Sequence, residues 1–95
     1  MTEDLPVILL VDDEPTNLRV LRTVLNDLYR LLFAKNGLEA LQLASEHQPD
    51  LILLDVMMPG MTGFEVCTRL KANGSTCQIP VIFVTALRDE IDETQ

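Results

Sequence analysis

Apolar runs alternate with amphipathic stretches along the chain. Val7-Ile8-Leu9-Leu10-Val11 is continuous and rich in β-branched residues, which predicts a strand covered on both faces. Pro15 suits the first position of a helix, and Leu18, Leu21, Leu25 and Leu28 then recur at helical spacing, with Arg19, Arg22 and Asp27 between them. Arg30 to Ala34 reads as a second strand, closed by Lys35-Asn36-Gly37. A second helix follows, with Leu38, Leu41 and Ala44 on one side and Glu39 and Glu46 elsewhere.

Asp50-Leu51-Ile52-Leu53-Leu54-Asp55 is another buried-strand run. Met57 to Gly63 contains Pro59, Gly60 and Gly63 and must be a loop. Thr62-Gly63-Phe64-Glu65 has the form of a capping box, opening a third helix with Phe64, Cys67 and Leu70 facing inward, and Asn73-Gly74-Ser75 ends it. Pro80 leads into a fourth strand, Val81-Ile82-Phe83-Val84, and Asp89 to Gln95 reads as the start of a fourth helix. Four strand–helix alternations predict an α/β fold: a parallel sheet with helices on both faces, joined by right-handed crossovers. Ligands in such sheets bind outside the carboxyl ends of the strands, where strand order reverses. Asp12 and Asp13 after the first strand, Asp55 at the end of the third and Thr85 after the fourth fall at that rim.

Length and composition narrow the picture. The 95 residues suit one domain, 1–95, and the apolar fraction of 47% suits a globular chain. No apolar run approaches the ~20 residues that cross a bilayer. Met1-Thr2-Glu3-Asp4 is acidic and unlike a secretory signal, so a cytoplasmic protein without membrane contact is expected. The net charge of −8 argues against direct nucleic-acid binding and fits a domain that holds a divalent cation, meets a basic partner or carries a solvated acidic face. Cys67 and Cys77 are read as reduced packing residues, His47 as a surface residue, and Met57, Met58 and Met61 as packing in the loop.

In the flavodoxin-like strand order 2-1-3-4-5, the first and third strands are neighbours, so Asp12 and Asp13 come beside Asp55, with Thr85 on the next strand. Three carboxylates so close repel one another, and a hard divalent cation resolves the conflict. Magnesium takes oxygen ligands and bridges carboxylates to phosphate. A carboxylate is also a nucleophile that forms an aspartyl-phosphate, so Asp55 could take a phosphoryl group while the Thr85 hydroxyl bonds one of its oxygens.

Four segments sharpen this reading. Ile8-Leu9-Leu10-Val11-Asp12-Asp13-Glu14, Pro49-Asp50-Leu51-Ile52-Leu53-Leu54-Asp55, Met58-Pro59-Gly60-Met61-Thr62-Gly63, and Pro80 to Thr85 followed by Ala86 together resemble the receiver domain of two-component response regulators. The resemblance implies a flavodoxin-like three-layer fold. It makes Asp55 the acceptor for a phosphohistidine, and Thr85 a switch hydroxyl. It also implies magnesium held directly by Asp13 and Asp55, through water by Asp12, and by the Met57 carbonyl. Met57 falls where the family varies a side chain to tune phosphoryl lifetime. The implied partners are a sensor histidine kinase or phosphotransfer protein and an output domain or partner protein. The family's fifth strand and helix, its lysine and its switch aromatic have no counterpart here, so the domain is expected to be C-terminally incomplete, with sheet order 2-1-3-4. The exposed edge of the fourth strand would then invite self-association. Two alternatives stand beside the phosphoacceptor: an interaction module that takes no phosphate, and an aspartate-nucleophile phosphatase. The latter calls for a second acid shortly after Asp55, where Val56, Met57 and Met58 stand. Glu14-Pro15-Thr16-Asn17-Leu18 resembles receivers that precede nucleotide-signalling or hybrid-kinase domains.

Overall fold

In the computed structural model, residues 5–84 are described. They form β1 (Val7–Val11), α1 (Pro15–Leu25), β2 (Arg30–Ala34), α2 (Gly37–His47), β3 (Leu51–Asp55), α3 (Gly63–Ala72) and β4 (Val81–Val84). The expected fourth helix lies outside the described residues. All strand pairings are parallel, and the order across the sheet is β2-β1-β3-β4. This is the predicted flavodoxin-like arrangement, with the order reversing between β1 and β3.

Alternate residues of the strands enter different layers, as the pleat requires. Leu9, Val11, Ala34, Ile52 and Leu54 pack with Ala40 and Ala44 of α2 and Val66 and Leu70 of α3 in one apolar core. Phe33 points to the opposite face, beside Leu18 of α1. Ile8, Leu9, Leu10 and Val11 are all buried, which accounts for the unbroken apolar run of a strand covered on both sides.

Three side chains depart from the pattern that the sequence suggests. Leu38 is 71% exposed, and Gly37, Ala40 and Ala44 form the packed stripe of α2 instead. Small residues at that spacing let the helix lie close. A Cβ on Gly37 would come within 2.7 Å of the Met61 sulfur and 2.9 Å of Val66 Cγ2. Phe64 is likewise exposed, because the inward positions of α3 are Gly63, Val66 and Leu70; its ring lies 5.0 Å from that of Phe83. Leu28 is exposed because α1 has already ended at Leu25, and the next residues turn through Leu28 N–H to Leu25 carbonyl bonding. The predicted capping box is present in both directions: Thr62 N–H donates to Glu65 Oε1 at 2.9 Å and Glu65 N–H to Thr62 Oγ1 at 3.2 Å. Among the described residues, no helix is long and apolar enough to cross a membrane.

Candidate functional site

The site is built where β1 and β3 end side by side. Val11 pairs with Leu54, so the residues that follow them, Asp12 and Asp55, emerge together at the carboxyl rim. Asp12 continues the strand ladder through its N–H to the Ala34 carbonyl, at 3.0 Å, and the chain then turns into α1. Its carboxylate accepts a hydrogen bond on each oxygen. Glu14 N–H donates to Oδ1 at 2.9 Å, and the Asn17 side-chain amide donates to Oδ2 at 3.1 Å. Glu14 is the N-cap residue of α1 by backbone position, but its side chain makes no capping bond.

Asp55 is the last residue of β3, opposite Val84 of β4. Its Oδ1 accepts the Met57 N–H at 3.3 Å. The loop beyond is anchored by buried Met58, by a turn with Gly60 at φ +84°, and by Gly63 N–H donating to the Val56 carbonyl at 2.9 Å. α3 starts so close to the end of β3 that any side chain at Gly63 would meet the Asp55 carbonyl and come within 2.9 Å of Val56 Cα. Glycine is required there by close approach rather than by backbone conformation.

Asp12 and Asp55 are each 4% exposed, and Asp13 is half-buried. One carboxylate oxygen from each of the three lies within 4.8 Å of the others, and among the described residues no further group of this kind is found. Burial, followed by the negative charge of Asp12, raises the Asp55 carboxyl from 3.8 to about 6; a hydrogen bond that the protonated carboxyl donates to the Asp12 side chain and the charge of Asp13 add to the rise, and the Met57 N–H opposes it. Hard oxygen donors crowded at this separation suit a hard divalent cation such as magnesium.

The structure therefore brings together Asp12, Asp13 and Asp55. The Met57 side chain is 65% exposed beside them, so it is not a packing residue, unlike Met58 and the half-buried Met61. Thr85 lies outside the described residues; its predecessor, Val84, pairs with Asp55. His47 is on the surface, as expected, 4.0 Å from Glu46. Lys71 is held away from the site, donating to the Cys77 and Ile79 carbonyls at 3.1 and 2.7 Å. Asn17 is the site residue that had no assigned role in the sequence reading. The available signal was a helix-disfavouring amide in the first turn of α1, a few residues beyond the acidic pair.

The family model described as "Response regulator receiver domain" matches residues 8–95. Response regulator PleD of Caulobacter vibrioides is 47% identical over 89 residues, covering 93% of this chain and 20% of PleD. The chain thus spans about a fifth of that relative's length. The N-terminal domain of a response regulator receiver protein from Methanoculleus marisnigri superposes with a TM-score of 0.83 at 42% identity, over 87% of this chain and 68% of that one. The receiver domain of sensor histidine kinase PA1611 from Pseudomonas aeruginosa, a structure with a magnesium ion coordinated in its active site cleft, gives 0.82 at 30% identity, over 93% and 73%.

Proposed function

We propose that this chain, which belongs to the response regulator receiver domain family of two-component signalling, takes a phosphoryl group on Asp55 in a magnesium-dependent reaction and passes the signal on as a change of conformation. The observation that carries this reading is the convergence of three carboxylates at the carboxyl ends of β1 and β3. Residues 1–95 act as one receiver unit in the cytoplasm, with a sensor histidine kinase or phosphotransfer protein as donor and an output domain or partner protein as reader.

The Asp55 carboxylate is the nucleophile. One of its oxygens bonds to phosphorus as the bond from phosphorus to the donor histidine nitrogen breaks, and the electron pair of that bond returns to the imidazole. Asp13, Asp55 and the Met57 carbonyl would hold the cation directly, and Asp12 would hold it through water. Magnesium, when bound, neutralises charge on the phosphoryl oxygens and offsets the mutual repulsion of the carboxylates. The Met57 N–H steadies Asp55 Oδ1, which leaves Oδ2 as the attacking oxygen. Thr85 is the switch hydroxyl that bonds the transferred group, and the exposed Met57 side chain stands where it can limit water's access to the acyl phosphate.

The test is incubation of the purified chain with magnesium and acetyl phosphate, followed by intact mass and peptide mapping. One phosphoryl adduct is expected, on Asp55, lost with chelator and lost in Asp55→Ala. A folded chain that takes no adduct, or an adduct that survives Asp55→Ala, overturns the reading.

A second reading is self-association through β4, favoured by one observation. Among the described residues β4 pairs on one side only, Phe83 is exposed beside Phe64, and Ile82 is exposed on the other face of the strand. A monomer at every concentration by light scattering would remove it.

A further inference from the structure

We propose that Asn17 is a positioning residue for the acidic site, locking the Asp12 carboxylate in the orientation from which it serves a bound cation. The proposal rests on the phosphoacceptor reading above and assigns a duty to a side chain outside the three carboxylates.

Three like charges within 4.8 Å of one another would each rotate away to relieve repulsion if free to do so. Asp12 is not free. Glu14 N–H at 2.9 Å secures one oxygen and the Asn17 amide at 3.1 Å secures the other. A carboxylate held at one oxygen still swings about that bond; held at both, from two successive parts of the strand–helix turn, it does not. Each oxygen keeps a further lone pair for a water or a cation. The Asn17 side chain is half-buried, and among the described residues its one hydrogen bond is to Asp12. Asparagine is a poor residue for the first turn of a helix when it caps nothing, so local helix formation gives no reason for it here. A partner that orients a metal-holding carboxylate typically changes metal affinity by 10- to 100-fold when removed.

The measurement is the magnesium dissociation constant, read from amide NMR shifts around the site, together with the melting temperature without metal. The chains compared are the wild type, Asn17→Leu, which is similar in size but has no donor, and Asn17→Gln, which keeps the amide. Leucine favours helix more than asparagine does, so the metal-free melting temperature should not fall. Asn17→Leu is expected to weaken magnesium binding roughly 10-fold, and Asn17→Gln to recover most of that loss. In an Asp12→Asn background, Asn17→Leu should cause no further loss, because its effect runs through Asp12. Unchanged binding in Asn17→Leu overturns the assignment, and so does the same loss in both backgrounds. If Asn17→Leu does not fold, Asn17→Gln and Asn17→Ser carry the comparison: affinity retained by the first and lost by the second supports the role, and equal affinities overturn it. A wild-type chain that binds no magnesium overturns the reading of the whole site, an outcome distinct from failure of Asn17 alone.

Discussion

Asp55 occupies a position that its charged form resists, sealed to 4% exposure with Asp12 against it. Its carboxyl, raised from 3.8 to about 6 by burial and then by that neighbour, holds a proton in the folded chain at pH values where the unfolded chain has released it. Folding therefore binds protons between about pH 4 and 6, and stability falls as pH rises through that window. Below it both states are protonated and the penalty vanishes; above it the penalty is complete. Asp55→Asn removes the charge and should stabilise the metal-free chain at pH 7 by about 1–3 kcal/mol, with the difference closing below pH 4. Paired urea titrations across pH check this, and equal stabilities at pH 7 would contradict it. Magnesium should raise the melting temperature of the wild type much more than that of Asp55→Asn. The identity of these residues was open to a sequence reading, since acids that end apolar runs are conspicuous. The hydrogen bond from Asn17 to Asp12 was not, because it depends on how α1 leaves the strand.

At the scale of elements, two glycines fix how closely helices approach the site, for different reasons. Gly63 meets rigid backbone, the Asp55 carbonyl and Val56 Cα. Gly37 meets the mobile end of Met61 and a methyl of Val66. Gly63→Ala should therefore cost at least about 2 kcal/mol and displace the loop after Asp55. Gly37→Ala should cost less, about 1–2 kcal/mol, because the thioether can yield and alanine favours helix while the buried Val66 methyl must still shift. Chemical denaturation of both variants decides it; a Gly63→Ala chain as stable as the wild type would show that the two elements can separate freely. Strand positions, the Pro15 start of α1 and the Thr62–Glu65 box were legible in the sequence because each is a local signal. The inward faces of α2 and α3 were misjudged at Leu38 and Phe64. The reading assigned large apolar residues to the core, whereas close helix–sheet contact selected the stripes begun by Gly37 and Gly63.

Across the whole molecule, a net charge of −8 opposes the pull of the apolar side chains exposed along β4, Phe83 with Phe64 on one face and Ile82 on the other. Like-charged copies repel over about 10 Å at 0.1 M salt and over less as salt rises. Association through β4 should thus strengthen with ionic strength, and Ile82→Lys should suppress it. Sedimentation at low and high salt tests both; association unaffected by Ile82→Lys would place the contact elsewhere. By itself the sequence determined the alternation of strands and helices, the parallel α/β class and the placing of Asp12, Asp13 and Asp55 at the ends of apolar runs, since pleat, helical period and capping all act over a few neighbouring residues. Tertiary structure alone decided that Asp12, Asp13 and Asp55 close to within 4.8 Å, that Asp55 is held near a pKa of about 6, and that Asn17 reaches Asp12. These depend on which strand lies beside which and on how tightly helices pack over them. Such distances are set by the sum of contacts across the sheet rather than by any one stretch of chain.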